Sequence, residues 1–283
     1  MENKKVWLVT GASKGLGLIL VKTLLKDGVN VAATSRNLND LTKAVGGHDN
    51  FLPLAVDLTN ESSVESAISQ TISKFGQVDV VVNNAGYGML GALEELSDEE
   101  SRQNFDVNVF GSLNVIRKVL PQLRKQQSGH IFNISSIGGF SGNFPGFGIY
   151  CATKFAVVGF TESLAAEVKS MGIKATVVEP GYFRTEFLTT GSLAVPSSPI
   201  GAYKEVRDSQ SAHQNDINNQ QPGDPAKAVK VIIEAATSEN PPLHLFLGPD
   251  AYQLADAKIA DVQRDMANWK YLATATNFDE VGT

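Results

Sequence analysis

Apolar residues gather in short runs at Val6–Thr10, Val29–Thr34, Phe51–Val56, Val78–Val82, His130–Ser135, Lys174–Glu179 and Leu243–Leu247. Most of these runs are β-branched or apolar throughout, the pattern of strands buried on both faces of a parallel sheet. Between them, apolar positions at helical spacing predict helices over 15–27, 38–45, 60–75, 98–127, 150–171 and 224–237. Gly28 follows the first of these in the position that favours a left-handed residue. Ser97 with Glu100 forms a capping-box pattern ahead of the fourth. Seven strands joined by six crossovers predict an α/β fold, a doubly wound seven-stranded parallel sheet in one domain spanning 1–283. Residues 188–223 break the rhythm. They are rich in Ser, Gly, Pro, Asn and Gln and contain no clear strand, which leaves a lid or a disordered segment. Because this stretch starts at the carboxyl edge of the sixth strand, where such sheets bind ligands, the lid is the expectation.

Composition narrows the function classes. The chain is 42% hydrophobic and 19% charged, as in globular domains. A formal charge of −6 with no basic run argues against nucleic acid or an anionic membrane as partner. No apolar stretch approaches the roughly 18 residues that span a bilayer. The first strand starts too early for a signal peptide, so a cytoplasmic location is expected. Cys151 alone can form neither an intrachain disulfide nor a cysteine-based metal cluster. His48, His130, His213 and His244 show no ligand spacing and read as surface or loop residues; no metal is expected.

The segment Thr10-Gly11-Ala12-Ser13-Lys14-Gly15-Leu16-Gly17 joins the first strand to the first helix. Strand, glycine turn and helix in this order make a dinucleotide-binding unit. Glycines let the backbone approach a pyrophosphate, and the N–H groups and dipole of the new helix favour its charge. The G-x-x-x-G-x-G spacing departs from the common G-x-G-x-x-G form and lacks the ending of an ATP-type phosphate loop.

Tyr150 and Lys154 lie four apart in a helical segment, on one face and separated by about 6 Å of rise. A phenol near its ordinary pKa of ~10 is a poor acid–base catalyst at neutral pH. Lowering it by about 3 units takes roughly 4 kcal/mol of preference for the phenolate. An adjacent ammonium and a cationic oxidised nicotinamide could supply that in a partly desolvated site.

Taken together, the glycine turn, Asn83-Asn84-Ala85-Gly86 after the fourth strand, Tyr150-x-x-x-Lys154, and Pro180-Gly181 after the sixth strand resemble the short-chain dehydrogenase/reductase family. The similarity is close over about 4–185 and looser beyond. The resemblance implies a Rossmann-like single domain and roles for particular residues. Tyr150 would exchange a proton with the substrate oxygen. Lys154 would bind the nicotinamide ribose and lower the tyrosine pKa. Ser136 would hydrogen-bond the carbonyl oxygen, and Asn108 would hold a water beside the lysine. The loop between Ser136 and Tyr150 is one residue longer than is usual in the family, which keeps Ser135 open as an alternative. The cofactor would contact Gly11, Ser13, Lys14, Gly15, Leu16 and Gly17, then Asp57-Leu58 at the adenine and Asn84, Ala85 and Gly86. Pro180, Gly181 and Thr185 would meet the nicotinamide. The resemblance also implies a homodimer or homotetramer. The helical pattern at Asp250–Trp269 leaves open whether that segment covers the site or joins an interface.

Cofactor choice follows from charge. The second strand ends Thr34-Ser35-Arg36-Asn37 with no acid until Asp40, so no carboxylate stands ready for a ribose 2′-hydroxyl. Ser35, Arg36 and Lys14 would instead receive a 2′-phosphate, a pattern similar to the NADP-preferring branch. Phe140, Phe144 and Phe147, with Tyr182 and Phe187, predict an apolar substrate pocket, and Tyr87, Met89, Leu90, Phe183 and Leu188 sit nearby in the chain. The expected activity is NADPH-dependent, reversible reduction of a small hydrophobic ketone or aldehyde, similar to bacterial ketone reductases and to the hydroxysteroid and retinol branch. NADP-linked oxidation of a hydroxysteroid or other secondary alcohol, and a non-catalytic NADPH sensor, are the alternatives.

Overall fold

The computed structural model describes residues 4–189 and 191–278. Its seven-stranded sheet is parallel throughout and comprises β1 (Val6–Val9), β2 (Asn30–Ser35), β3 (Phe51–Ala55), β4 (Val80–Asn83), β5 (Gly129–Ile134), β6 (Ile173–Pro180) and β7 (His244–Leu247). The spatial order is β3-β2-β1-β4-β5-β6-β7, so the winding reverses between β1 and β4. Side chains alternate across the pleat. Trp7, Val9, Val31, Ala33, Val80, Val82 and Phe132 pack on one face with α1 (Gly15–Lys26) and α2 (Leu38–Val45). Leu8, Ala32, Val81 and Ile131 pack on the other with α3 (Glu61–Phe75). Two apolar faces per strand are why the runs carry no polar alternation.

The expected helix over 98–127 is one path with an internal change of winding. It consists of α4 (Asp98–Phe105), a π-helical segment Asp106–Phe110, and α5 (Gly111–Gln126). The Ser97–Glu100 capping box forms in full at its start. Asn108 sits in the π segment with its side chain bonded to other elements rather than to its own helix. The next helix, α6 (Gly148–Val168), carries Tyr150 and Lys154.

Residues 188–223 hold more structure than expected. Leu193–Ala194 pairs in parallel with Gly88–Met89 as a second, two-stranded sheet. α7 (Lys204–Ser211) runs into a π-helical segment Ala212–Ile217. The sequence hides α7 because Val206 is its one buried residue and the rest of its turns are polar. Beyond it, α8 (Pro225–Thr237) is capped by Asp224 and packs on the α1 face. α9 (Pro249–Ala273) follows β7 with Ala251 and Ala255 as its only buried residues. No described helix is long and apolar enough to cross a membrane.

Three histidines are placed differently from the expectation of surface or loop positions. His130 is buried on β5 against Phe132, and burial lowers its pKa to about 3. His213 is buried in the second π segment. His244 lies on β7 with Nδ1 3.0 Å from the buried carboxylate of Glu179. Each is held by a partner distant in sequence, which spacing alone does not reveal.

Candidate active site

The carboxyl ends of β1, β2, β4, β5 and β6 open onto one cavity of about 350 Å³. It lies where strand order reverses, the place where an open parallel sheet leaves a crevice. Thr10 fixes the crevice floor. Its hydroxyl accepts from the backbone N–H of Asn84 at 3.0 Å and of Ala85 at 3.1 Å. The Asn84 amide donates to the carbonyls of Thr10 and Gly11. Gly11 must be glycine: its φ is +65°, and a Cβ there would stand 2.7 Å from the Ala85 Cα. Gly17 has a different role from the one expected. It faces the Asn84 amide rather than the cavity, so it seats that amide instead of admitting a phosphate.

The start of α1 is built to take an anion. Asn37, Asn60 and Asp224 cap the N-termini of α2, α3 and α8, but α1 begins at Lys14 with no side-chain cap and no acid in its first turn. Ser13, Lys14, Gly15 and Leu16 line the cavity there. The N–H groups that the helix itself leaves unbonded there, with its dipole, suit a phosphate. Glu186 reaches this end instead, its carboxylate accepting from Gly15 N–H at 3.2 Å, while the Lys14 ammonium donates to the Gly191 carbonyl at 2.7 Å. Ser35 and Arg36 line the far end, and the exposed Arg36 guanidinium has no ion pair among the described residues. Asp57 and Leu58 form the adjoining wall, with Asp57 Oδ1 taken up by the Thr59 hydroxyl. Asn84, Ala85, Gly86, Pro180, Gly181 and Thr185 complete the lining. An uncapped helix start, a close glycine turn and an unpaired cation together fit a dinucleotide.

At the other end, Ser136, Tyr150 and Lys154 converge. Tyr150 is buried, and burial raises its phenol above the ordinary value while a hydrogen bond from Ser136 works the other way. Lys154 is buried as well, and burial lowers it to about 8. Its ammonium donates to the Ile134 carbonyl at 2.9 Å and stands 5.6 Å from the Tyr150 ring centroid. In the chain by itself desolvation is the largest influence on the phenol, whereas the expected lowering belongs to a site that also holds a cationic oxidised nicotinamide. At neutral pH Tyr150 is a protonated acid.

Of the two serines, Ser135 is spent on structure. It is buried and its hydroxyl donates to the Lys154 carbonyl at 2.9 Å. Ser136 accepts from Gly138 N–H at 3.0 Å and turns its hydroxyl toward Tyr150 in the cavity. Asn108 stands behind the wall rather than in it. Its oxygen accepts from Tyr87 N–H at 3.0 Å, and its amide donates to the Tyr87 carbonyl and the Thr153 hydroxyl. It thereby ties the 86–87 turn to α6, next to Lys154.

Phe144, Phe147, Tyr182 and Phe187 line the apolar end, joined by Tyr87, Phe183 and Leu188. Phe140 does not. It packs edge-on against Phe246 at 5.2 Å and belongs to the cluster under α9. Met89 and Leu90 are buried and do not line the cavity. Among the lining residues that the sequence did not single out are Glu186, His213 and Gln221. His213 Nδ1–H donates to the Ser209 carbonyl at 2.7 Å, so its Nε2 accepts from the Tyr182 hydroxyl at 3.0 Å. Gln221 is buried and its side-chain oxygen has no partner. His213 and Gln221 carry no local signal, since they enter the site from the region whose path the sequence left open, and Glu186 lies just ahead of it between Thr185 and Phe187.

A sequence profile described as short chain dehydrogenase matches residues 5–193. A 3-ketodihydrosphingosine reductase of Bacteroides thetaiotaomicron is 38% identical, over 87% of this chain and 88% of its own length. Among solved structures, a short-chain dehydrogenase from Streptomyces avermitilis superposes with a TM-score of 0.89 at 37% identity, covering 97% of this chain and 100% of that one. A structure of ElxO with NADP bound has a TM-score of 0.70 at 29% identity, covering 86% and 96%.

Proposed function

Given that the chain belongs to the short-chain dehydrogenase family, we propose that it reduces hydrophobic ketones or aldehydes to the alcohol with NADPH, reversibly. The protein is an oxidoreductase of that family with a nicotinamide cofactor; substrate class and NADPH preference are the parts proposed. One observation carries the reading. A buried, protonated phenol meets a serine hydroxyl and a buried ammonium at the apolar end of a cavity whose other end suits a dinucleotide.

When bound, the cofactor supplies the hydride. The chain's own residues do the rest. The aromatic wall holds the substrate and keeps water from the carbonyl. Ser136 donates to the carbonyl oxygen as charge develops on it, and Tyr150 gives that oxygen its proton. Lys154, with a proton at neutral pH, steadies the phenolate that remains. A protonated phenol is the form that reduction needs. A relative named for reducing a keto compound is consistent with it.

The test is NADPH consumption across a panel of aryl, alicyclic and long-chain ketones beside sugars and keto acids. Turnover confined to the apolar members is the expected result. Preference for the keto acids would sink the substrate assignment.

Glu186 gives a second check on the cofactor end. Its carboxylate bonds the Gly15 N–H at the uncapped start of α1, where it competes with and repels a phosphate. Glu186→Gln is expected to tighten NADPH binding about two- to fivefold, the range for one charge at a helix terminus. A fluorescence titration showing equal or weaker affinity would count against a phosphate at this position.

A further inference from the structure

Beyond Ala255, α9 leaves the body of the molecule and carries an apolar stripe into solvent. Tyr252, Ala255, Ile259, Val262, Met266, Trp269 and Ala273 recur at alternating steps of three and four. That is a seven-residue repeat of 3.5 per turn, the seam of a helix that winds against another helix. The stripe continues the face by which Ala251 and Ala255 dock on the fold. Past that point no described residue covers it: Ile259 is 43% exposed, Met266 67% and Trp269 65%.

We propose that this face is an interface between two copies of the chain, α9 packing along α9 of the second copy. The flanking charges favour that occupant. Lys258, Arg264 and Lys270 are balanced by Asp256, Asp261 and Asp265, so the helix has no net attraction for an anionic lipid surface. Only Arg264 and Asp261 pair within the helix. Lys270, at a position beside the seam, would meet an acid of the second helix in either orientation. Running parallel it faces Asp265, five residues earlier in the partner; running antiparallel it faces Asp256. The five large side chains of the stripe, at roughly 100 Å² each, make about 1,000 Å² for the pair, the least that a specific interface buries.

Sedimentation velocity on the full chain tests this, with three variants beside the wild type. Val262→Glu/Met266→Glu, at exposed positions, is expected to halve the assembly mass at micromolar concentration without changing ketone turnover per chain. Lys270→Asp should raise the dissociation constant about tenfold or more. Adding Asp265→Lys restores it if the helices run parallel, and adding Asp256→Lys restores it if they run antiparallel. An unchanged mass in the double glutamate variant overturns the proposal, as does failure of both charge swaps to restore assembly. So does a wild type that sediments as one copy but floats with phosphatidylcholine–phosphatidylglycerol vesicles, which would make the stripe a lipid face.

Discussion

Tyr150→Phe is expected to lower kcat for ketone reduction by ~10²–10⁴-fold, the range for removing a positioned general acid, while NADPH binds within about twofold of wild type. The substitution removes one oxygen from a buried ring whose neighbours are Phe147 and Phe187, at centroid distances of 6.1 and 5.7 Å. Packing is thus preserved, and the lost group is the one that carries the proton. Ser136 remains to polarise the carbonyl, so some turnover persists. Stopped-flow absorbance with saturating NADPH separates the two quantities. A kcat within tenfold of wild type would move the proton donor elsewhere in the cavity, with Tyr182 the first candidate because its hydroxyl already bonds His213.

Arg36→Asp should reverse the cofactor preference. Arg36 is exposed at the end of β2, lines the cavity and has no ion pair among the described residues, so the protein itself gives it no task. A charge-assisted hydrogen bond to a phosphate contributes on the order of 1.5–3 kcal/mol. Losing it and adding a repelling carboxylate should cut kcat/KM for NADPH by ~10²-fold or more. The same carboxylate can accept from a ribose 2′-hydroxyl, so kcat/KM for NADH should rise. Measuring both coenzymes on one ketone checks this. Equal losses with both would mean that Arg36 supports the fold of the β2 end and reads no phosphate.

The sheet was legible because its signal is local. Val80 to Val82 is apolar at every position, as a strand packed on both faces favours. The glycine turn and the Tyr150–Lys154 pair were equally visible, since they lie within one turn or one helical repeat. Phe140 was misplaced for the opposite reason. Its partners, Phe246 and the start of α9, lie more than a hundred residues away, and a phenylalanine among glycines looks the same over a ligand as over a helix. How fully the Tyr150 phenol is desolvated was not visible either, because spacing reveals the lysine but not the burial that raises the phenol in the chain by itself. His213 and Gln221 reach the cavity from polar stretches whose folding depends on Val206, Leu193 and Ile217 finding Leu90 and Phe147.

That last cluster divides the molecule in a useful way. Leu90, Phe147, Tyr150, Leu188, Leu193 and Val206 form an apolar unit of their own, apart from the two cores that hold the sheet. The shared family description ends at residue 193, where much of this unit's remaining chain begins. Substitutions from there to Gln221 can reshape the apolar end of the cavity while the strands keep their ladder and the glycine turn keeps its seat. A lineage can therefore exchange one substrate for another by rewriting some thirty residues, and inherit the proton-transfer apparatus unchanged.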